Sequence, residues 1–522
     1  MEKSGYLLAI DAGTGSVRAV LFDFDGNQVG CVQQEWTHKE DPRYPGSMDF
    51  DWAYNWKLAC ECIRGVIKEA DISASEIAAI STTCMREGIL LYDKDGKELW
   101  ACANVDARST DEAASLIKSD KNLELKLYRK SGQSFALNAI PRLLWVKNKL
   151  PEIYEKTDKI GMFNDWLIYK LTHVLAVEPS NGSTTGLFDL QTRSWDESIP
   201  IACGLRGDIF PTVLESGQIA GKVTSLAAEE TGLTAGTTVV VGGGDCQLGT
   251  IGVGAVNPGE AAVFGGSFWQ YEFNTGDGKT DEEGRVRVNC HAVPGVWQYE
   301  ALAFKPGLVM RWYRDAFCQE EIALGTKLGK DPYDLMNEKA KDIPVGSNGM
   351  MCCFSDVMNF INWKHAAPTF TNFELEAERY NKYTFYRAIL ENTALLVKGH
   401  IDLVKEATGH EPNRLIFAGG ASVSDLWAQI LADATGKTVI TPVVKEATAL
   451  GAAIIAGYGA GIYPSIAEGA RRCAKTDKTF TPTPAHTKIY NEMYPVWRKL
   501  YQAQLHLCDQ KITKNMWIAP GL

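Results

Sequence analysis

Apolar and polar residues alternate along the first half of the chain in short strand-like runs that are separated by longer helical ones. The opening run, YLLAIDAGTGSVRAVLFDFDGNQVGCVQQEW, predicts an apolar strand that ends at Asp11, an alternating strand over residues 17–24 and a third strand after the Asp25-Gly26 turn. Apolar residues at helical spacing predict helices over residues 52–70 and 135–170, and GILLYDKDGKELWAC predicts a further hairpin. Helices that alternate with strands predict an α/β domain that opens with an antiparallel meander.

The same pattern restarts near the middle of the chain. TVVVGGGD predicts a buried strand that runs into a glycine loop, and EAAVFGGSFWQYEF predicts a new strand, turn and strand. Helices are predicted over residues 308–317 and 383–406, followed by a strand, double-glycine loop and helix in RLIFAGGASVSDLWAQILADATG and a helix of small residues in VKEATALGAAIIAGYGAG. We therefore expect two lobes, residues 1–254 and 255–522, that form a weak pseudo-repeat.

The composition is that of a globular protein, since 45% of the 522 residues are hydrophobic and 22% are charged. The length is enough for two or three domains with a cleft between them, so an enzyme is expected. The net charge of −11 argues against a nucleic-acid or anionic-membrane partner, because neither polyanion is attracted to an acidic surface. A phosphate ligand therefore requires a binding site that is built locally.

The N-terminal run and the cysteines indicate in which cellular compartment the protein is expected. No signal-peptide core precedes Asp11, and no window approaches the ~18 uncharged apolar residues of a membrane span. The 13 cysteines show no metal-ligand spacing, which predicts reduced and mostly buried thiols. We therefore expect a cytoplasmic protein, and the sequence contains no readable motif for a protein regulator.

The first candidate for chemistry is the run DAGTGSVR, from Asp11 to Arg18. Its glycines let the backbone approach an anion, while the hydroxyls of Thr14 and Ser16 and the Arg18 guanidinium can donate to phosphate oxygens. Asp11, at the end of a strand, is placed to hold Mg²⁺ directly or through water. A tight turn without function explains Gly-Thr-Gly-Ser equally well, and the run is neither a Walker A motif nor G-x-G-x-x-G.

The second candidate is Asp245, which follows three glycines at the end of a predicted buried strand. A carboxylate at this position can accept the proton of a substrate hydroxyl while neighbouring groups hold a phosphate. The alternative is an ordinary cap on the following helix, which is predicted over residues 246–253. The residues alone leave both interpretations open.

Further candidate motifs carry less information when each is taken alone. Double glycines follow strands at Gly265-Gly266 and Gly419-Gly420, and the second pair precedes a helix whose N-terminal N–H groups can meet a nucleotide. The runs MREG and NVDAR combine arginines with acidic and amide side chains, which suit the donors and acceptors of a polyol. Tight turns and surface ion pairs are the alternatives.

The ordered set DAGTGSVR, MREG, NVDAR, GGGD, FGG, AGGAS and EATALGAA resembles the FGGY carbohydrate kinases, relatives of glycerol kinase and xylulokinase, over essentially the whole chain. The resemblance implies a two-lobed α/β fold of the actin, hexokinase and heat-shock-70 type (ribonuclease H-like), with a five-stranded sheet in each lobe. It also implies a nucleotide cleft between the lobes, an ATP-dependent phosphotransferase with an alcohol group as acceptor, and ATP and Mg²⁺ as cofactors.

A narrower resemblance within the family is carried by the runs ACANVDAR, PSNGSTTGL, MRWYRDAFC and HAAPTF. It implies that the γ-phosphoryl group is transferred to the terminal (C5) hydroxyl of a small C5 compound, open-chain 4,5-dihydroxypentane-2,3-dione. A pentulose or glycerol kinase of the same family is the alternative. A non-catalytic nucleotide-dependent switch on the same fold is a more remote one.

The resemblance also assigns roles to the matching residues. Asp245 is expected to be the general base, and Asp11 and Asp245 are expected to hold Mg²⁺. The residues expected to contact the acceptor substrate are Arg86, Glu87, Asp106, Asp245, Gln247 and Trp269. The residues expected to bind the nucleotide are Gly13, Thr14, Gly15, Ser16, Arg18, Gly265, Gly266, Gly307, Arg311, Gly419, Gly420 and Ser424. Three of these residues, Trp269, Arg311 and Ser424, differ from those of glycerol kinase.

Overall fold

The computed structural model describes residues 5–519, which form 24 strands and 18 α-helices around two large sheets. The strands of the N-terminal half are β1 (Tyr6–Ala12), β2 (Ser16–Asp23), β3 (Gln28–Glu35), β4 (Ile77–Cys84), β5 (Ile89–Tyr92), β6 (Glu98–Cys102), β7 (Lys159–Met162), β8 (Ala176–Val177), β9 (Phe188–Asp189), β10 (Ser194–Trp195), β11 (Thr212–Val213), β12 (Ile219–Lys222) and β13 (Thr238–Gly244). Its helices are α1 (Trp52–Glu69), α2 (Thr110–Ser119), α3 (Leu123–Ser131), α4 (Ala139–Lys149), α5 (Pro151–Lys156), α6 (Phe163–Thr172), α7 (Pro179–Gly182), α8 (Ser198–Ala202), α9 (Ser225–Thr231) and α10 (Asp245–Gly252).

The C-terminal half contains the remaining elements. Its strands are β14 (Ala261–Gly265), β15 (Trp269–Thr275), β16 (Arg287–Cys290), β17 (Trp297–Ala303), β18 (Met351–Cys353), β19 (Lys364–Ala366), β20 (Thr369–Thr371), β21 (Arg414–Ala418), β22 (Thr438–Pro442), β23 (Thr476–Phe480) and β24 (Asn515–Ile518). Its helices are α11 (Pro306–Phe317), α12 (Gln319–Leu328), α13 (Pro332–Ala340), α14 (Lys382–Thr408), α15 (Asp425–Thr435), α16 (Ala447–Gly459), α17 (Ile466–Cys473) and α18 (Pro484–Asp509).

The two large sheets share one strand topology. In the first, which has the order β12-β13-β4-β1-β2-β3, β1 pairs antiparallel with β2 and parallel with β4. In the second, which has the order β16-β17-β15-β14-β21-β22-β23, β14 likewise pairs antiparallel with β15 and parallel with β21. The opening meander is confirmed, and the second sheet repeats the topology of the first.

The sheets have six and seven strands rather than five. The five strands that correspond are β3-β2-β1-β4-β13 in the first sheet and β17-β15-β14-β21-β22 in the second. β12 extends one edge of the first sheet, and β16 and β23 extend both edges of the second. The additional strands therefore lie at the edges and leave the common core unchanged.

Most of the predicted helices are confirmed within a few residues, as α1, α11 and α14 show. The helical pattern over residues 135–170 is only partly right, because it contains α4, α5 and α6 with β7 between the last two. Pro151 ends α4 and begins α5, since proline lacks the N–H group that continuation of the helix requires. Residues 159–162 pair with β5 instead of forming a helix.

Helix α16 joins the two halves of the chain. It lies in the C-terminal half, yet its apolar residues, such as Leu450, are buried against β1, β4 and β13 of the first sheet. It crosses α10 so closely that a Cβ atom at Gly451 would overlap the carbonyl oxygen of Leu248. Gly252 meets the carbonyl of Ala447 in the same way. Two glycines therefore make this crossing sterically feasible.

The thiols agree with the sequence-based prediction. All 13 cysteines are unpaired, and all except Cys31 are buried. Burial raises the pKa of many of them, that of Cys60 to about 12, which keeps the thiol protonated. Among the helices between residues 5 and 519, none combines the length and the apolar character needed to span a membrane.

Gly451→Ala tests the close crossing of α10 and α16. The added methyl group would overlap the Leu248 carbonyl, so we expect the free energy of unfolding to fall by about 1–3 kcal/mol, the usual cost of overpacking. Urea denaturation measures this change. Gly276→Ala is the control, because a Cβ there has only Pro258 nearby, at 3.8 Å. Unchanged stability of Gly451→Ala would show that the crossing does not require the glycine.

Candidate active site

Three acidic residues come together where the two large sheets approach each other. Asp11 lies at the end of β1, Asp245 opens α10 and Glu446 directly precedes α16. Arg18 contacts two of them, because its Nη1 is 2.5 Å from Glu446 Oε2 and its Nε is 3.6 Å from Asp11 Oδ2. Arg18 therefore lies between Asp11 and Glu446, and the charge of Asp245 acts on Asp11 from the other half of the cluster.

The surroundings of Asp11 raise the pKa of its carboxyl group. Burial raises the pKa of this carboxyl to about 7, Arg18 opposes the increase, and the charges of Asp245 and Glu446 add to it. A cation bound beside Asp11 would favour the ionised carboxylate. The electrostatics of the site therefore suit a positively charged ligand.

Asp245 lies where β13 passes into α10. The three glycines before it extend the strand instead of forming the expected loop, because the strand bulges and stays paired with β4. A side chain at Gly242 would overlap the carbonyl of Thr82 on β4. Asp245 Oδ1 accepts the N–H of Cys246 at 2.8 Å, so the carboxylate supports the start of the helix. Its side chain nevertheless remains 37% exposed and therefore accessible to a ligand.

Hydrogen bonds hold the end of β13 in place. The Gly244 N–H donates to Ser180 Oγ at 3.0 Å, and this hydroxyl donates to Glu178 Oε2 at 2.6 Å. Ser216 donates to the carbonyl of Gly242. These contacts position the backbone immediately before Asp245.

A buried ion network joins the two sheets beside Asp245. Arg86 forms a bidentate ion pair with Glu300 of β17, and its Nε lies 3.3 Å from Asp245 Oδ1. Glu87 Oε1 lies 2.6 Å from Arg287 Nη1 on β16. Although burial raises the pKa of Glu300, the two arginines outweigh it and hold the pKa at about 2. The structure thus brings Arg86 and Glu87 to Asp245.

Gln247 and Asp106, both predicted to contact the acceptor, have different surroundings. Gln247 is fully buried, and a Cβ at Gly244 would lie beside both its Oε1 and the Arg86 side chain. Asp106 Oδ2 instead accepts the N–H of Met48 at 2.6 Å and Arg108 Nε at 2.7 Å. Gln247 therefore lies beside the ion network, whereas the Asp106 carboxylate is used in hydrogen bonds within its own loop.

Trp269 does not face the ion network. Its ring packs in the core of the second lobe, with its centroid 4.9 Å from that of Phe417 and 4.5 Å from that of Trp427. Successive side chains of a strand point to opposite faces, so Gln270 points the other way, and its Oε1 lies 3.5 Å from Cys246 Sγ. The structure therefore places Gln270, not Trp269, beside the predicted acceptor residues.

Several glycines of the C-terminal half line a cavity of about 400 Å³, a volume typical of small-molecule sites. It contains six of the residues predicted to bind the nucleotide, namely Gly265, Gly266, Gly307, Arg311, Gly420 and Ser424. Gly419 precedes Gly420 with a φ of +87°, which favours glycine. An adjoining cavity of about 910 Å³ shares Ser424 and Asn337 with the first.

The other residues predicted to bind the nucleotide lie at the turn between β1 and β2. Thr14 and Gly15 are exposed at its tip, Gly13 is half-buried and Ser16 is buried at the start of β2. Asn104 Nδ2 donates to Thr14 Oγ1 at 3.0 Å. The turn thus presents an exposed hydroxyl and backbone on the strand pair that also carries Asp11 and Arg18.

Family models match most of the chain. The model described as the FGGY family of carbohydrate kinases, N-terminal domain, matches residues 6–252, and the model of the C-terminal domain matches residues 278–460. The chain belongs to the FGGY family of carbohydrate kinases. As an FGGY kinase it is an ATP-dependent phosphotransferase that acts on a small molecule, which favours catalysis over a non-catalytic switch.

The FGGY kinase has curated relatives that match its full length. It is 48% identical to the autoinducer-2 kinase of Salmonella paratyphi A and 49% identical to that of Escherichia coli, in each case over 522 residues, 100% of this chain and 98% of the relative. Solved structures with the same fold include xylulose kinase from Rhodospirillum rubrum (TM-score 0.84, 23% identity, 96% of this chain and 99% of that chain) and Plasmodium falciparum glycerol kinase with ADP (TM-score 0.81, 21% identity, 96% and 98%). These structures confirm the two-lobed fold.

Sequence reasoning missed three charged residues of this FGGY kinase site. Glu446 had a visible signal, because it stands directly before the helix in the run VKEATALGAA. Arg287 and Glu300 had no visible signal in the sequence. Glu300 is 214 residues from Arg86 along the chain, and only the pairing of β16 with β17 brings both groups to the network.

Gly420→Val tests whether the glycine-lined cavity of the FGGY kinase binds the nucleotide. No atom lies within 4 Å of a Cβ at Gly420, so the added side chain is compatible with the fold but extends beside the cavity. We expect the Kd for ATP to rise about tenfold, which corresponds to about 1.4 kcal/mol, with an unchanged unfolding midpoint. Calorimetric titration and thermal denaturation measure the two quantities. Unchanged affinity for ATP would place the nucleotide elsewhere.

Proposed function

We propose that this FGGY kinase is an autoinducer-2 kinase, which uses ATP to phosphorylate the terminal (C5) hydroxyl of open-chain 4,5-dihydroxypentane-2,3-dione. The observation that carries the proposal is the 48–49% identity to curated autoinducer-2 kinases along the entire chain. The solved neighbours support the fold alone, because each is less than 25% identical. Phosphorylation converts a neutral quorum-sensing signal into an anion, which does not cross a lipid bilayer readily.

The reaction is assigned to the cytoplasm. ATP is available there, and a reducing compartment suits 13 unpaired cysteines. The ligands of the proposed enzyme are ATP and the small dione. No nucleic-acid partner is proposed, because the net charge of −11 repels a polyanion.

Asp245 acts as the general base in this proposal. Its carboxylate is accessible at the start of α10, and contacts before it at Gly244 and beside it at Arg86 hold it in position. It accepts the proton of the acceptor hydroxyl as that oxygen attacks the γ-phosphoryl group. Desolvation raises the pKa of Asp245 and Arg86 opposes the increase, so the carboxylate is a stronger base than an aspartate in water.

The turn between β1 and β2 binds phosphate oxygens. Gly13 and Gly15 let the backbone approach, Thr14 and Ser16 donate from their hydroxyls, and Arg18 supplies positive charge. Glu446 holds Arg18 at 2.5 Å and so fixes the direction of the guanidinium. The glycine-lined cavity of the second lobe holds the nucleoside end of ATP.

Asp11 and Asp245 provide the carboxylates for Mg²⁺. Both offer hard oxygen ligands, and burial together with the charges of Asp245 and Glu446 raises the pKa of Asp11 although Arg18 opposes the increase. Mg²⁺ usually takes one or two protein carboxylates and completes its shell with water and substrate phosphates. When bound, the ion neutralises charge on the phosphates.

The acceptor lies beside Arg86, Glu87 and Gln247. Because Glu300 and Arg287 fix the two charged side chains, the donors and acceptors are oriented before the substrate binds. Asp106 supports the acceptor site indirectly. Its carboxylate accepts hydrogen bonds from Met48 and Arg108, which hold its loop in place. Closure of the two lobes excludes water, which otherwise competes with the acceptor hydroxyl for the phosphoryl group.

A panel of acceptors tests the substrate assignment. We expect ADP release and a monophosphate product with dihydroxypentanedione, at a kcat/KM at least ~10-fold above that for xylulose, ribulose or glycerol, which is the scale of a few acceptor contacts. Coupled ADP detection and product mass spectrometry measure both. Preference for a pentulose or for glycerol would retain the kinase and reject the signal-processing function.

Asp245→Asn tests the general base. The amide cannot take the hydroxyl proton, so we expect kcat to fall at least ~10²-fold while ATP still binds. Steady-state kinetics and ATP titration check the two parts. Asp111→Asn is the matched control, because Asp111 also lies in the first turn of a helix but is exposed on α2. Normal turnover of Asp245→Asn would remove Asp245 from the mechanism.

A further inference from the structure

A carboxyl group lies buried between the lobes without a hydrogen-bond partner. Glu272, on β15, is fully buried, and within residues 5–519 no group hydrogen-bonds to either of its oxygens. Buried polar atoms in native proteins are nearly always paired, so an exception requires an explanation. The missing partner of Glu272 is therefore to be sought in a ligand.

The position of Glu272 points to the acceptor end of the site. In the second sheet it pairs in register with Glu300, which pairs with Arg287 on the next strand. Its carboxyl group also lies within 4.8 Å of Cys246 Sγ. Since Cys246 directly follows Asp245, Glu272 faces the first turn of α10 and the proposed general base.

A second group with no partner lies in the same place. Gln247 is fully buried, and neither atom of its side-chain amide has a hydrogen-bond partner in the described part of the chain. Its Oε1 lies beside Gly244 and the Arg86 side chain. Two unpaired polar groups, one from each lobe, thus flank the ion network at Asp245.

The charge state of Glu272 suits a neutral ligand rich in oxygen. Burial raises its pKa well above the ordinary value, Glu300 adds to the increase, and Arg86 and Arg287 oppose it. A neutral carboxyl group offers one O–H donor and an acceptor oxygen. A carbonyl oxygen of the ligand can accept a hydrogen bond from the carboxyl O–H. A hydroxyl group of the ligand can donate a hydrogen bond to the carboxyl acceptor oxygen.

We propose that Glu272 is a specificity-determining residue that binds the carbonyl end of the acceptor, with Gln247 beside it, while Asp245 faces the hydroxyl that is phosphorylated. The inference rests on the proposed function, because it takes a polyhydroxy carbonyl compound as the acceptor. Glu272 pairs its oxygens only when that acceptor is bound. It therefore selects acceptors with an oxygen at this position over shorter or less oxygenated alcohols.

A cation held by Cys246, Glu272 and Glu300 is the competing explanation for this group of side chains. Glu300 argues against it, because both of its oxygens already pair with arginines. A metal would have to displace those ion pairs. Neutral hydrogen bonding from Glu272 requires no such change.

Glu272→Leu tests the proposal, with Glu272→Gln as the conservative variant. We expect Glu272→Leu to raise the KM for the acceptor at least ~10-fold and to leave the KM for ATP unchanged. Glu272→Gln keeps a donor and an acceptor and should lose less. The unfolding midpoint of Glu272→Leu should equal or exceed that of the wild type, because an unpaired buried carboxyl is removed.

Tyr271→Phe is the matched control. Tyr271 is the adjacent residue of β15, is fully buried and also has an unpaired hydroxyl among the described residues, but it belongs to the core of the second lobe. We expect no change of the acceptor KM in this variant. A rise equal to that of Glu272→Leu would overturn the proposal in favour of a general effect on the strand.

Three further results would overturn the proposal. The first is an unchanged acceptor KM in Glu272→Leu, and the second is an equal rise in the KM for ATP. The third is stoichiometric zinc or another metal in the purified wild type that is lost in Glu272→Leu. Failure of the proposed function is distinguishable, because the wild type would then prefer a pentulose, and the Glu272 variants would be compared on that acceptor.

Discussion

The close crossing of α10 and α16 is the contact on which the rest of the site depends. Asp245 opens α10 and Glu446 precedes α16, so the crossing brings two acidic residues from opposite halves of the chain together. It is feasible because Gly252 and Gly451 have no side chains. Thr448, at the start of α16, donates to the carbonyl of Asp245 at 3.4 Å. One packing contact therefore sets both the arrangement of the lobes and the position of the proposed base.

The buried ions near this crossing have a different role from the apolar packing. Arg86 pairs with Glu300 and Glu87 pairs with Arg287, so each pair joins one lobe to the other. Buried ion pairs add little net stability, because desolvation offsets their attraction, but removal of one partner leaves a buried charge uncompensated. Glu272 lies beside these ion pairs but has no hydrogen-bond partner among the described residues. Its partner is therefore sought in a ligand.

Much of the local structure could be predicted from the chain, because turn residues and apolar spacing act over short distances. The meander through the Asp25-Gly26 turn and helix α14 are examples. The predictions were wrong where contacts with residues distant along the chain decide the local structure. The glycines before Asp245 looked like a loop, but pairing with β4 makes them strand. Trp269, which was predicted to contact the acceptor, packs in the core of the second lobe, and the alternation of side chains along β15 turns Gln270 toward Cys246.

A resemblance to a known family implied the two-lobed fold, and the sequence by itself determined most of the elements and the residue types of the motifs around Asp11, Arg86 and Asp245. These depend on short spacings within continuous runs of chain. Only the tertiary structure decided which charges meet. Glu300 reaches Arg86 across 214 residues, and Glu446 reaches Arg18 across 428. Such contacts follow from sheet register and from the crossing of α10 and α16, which bring together side chains whose spacing along the chain carries no signal.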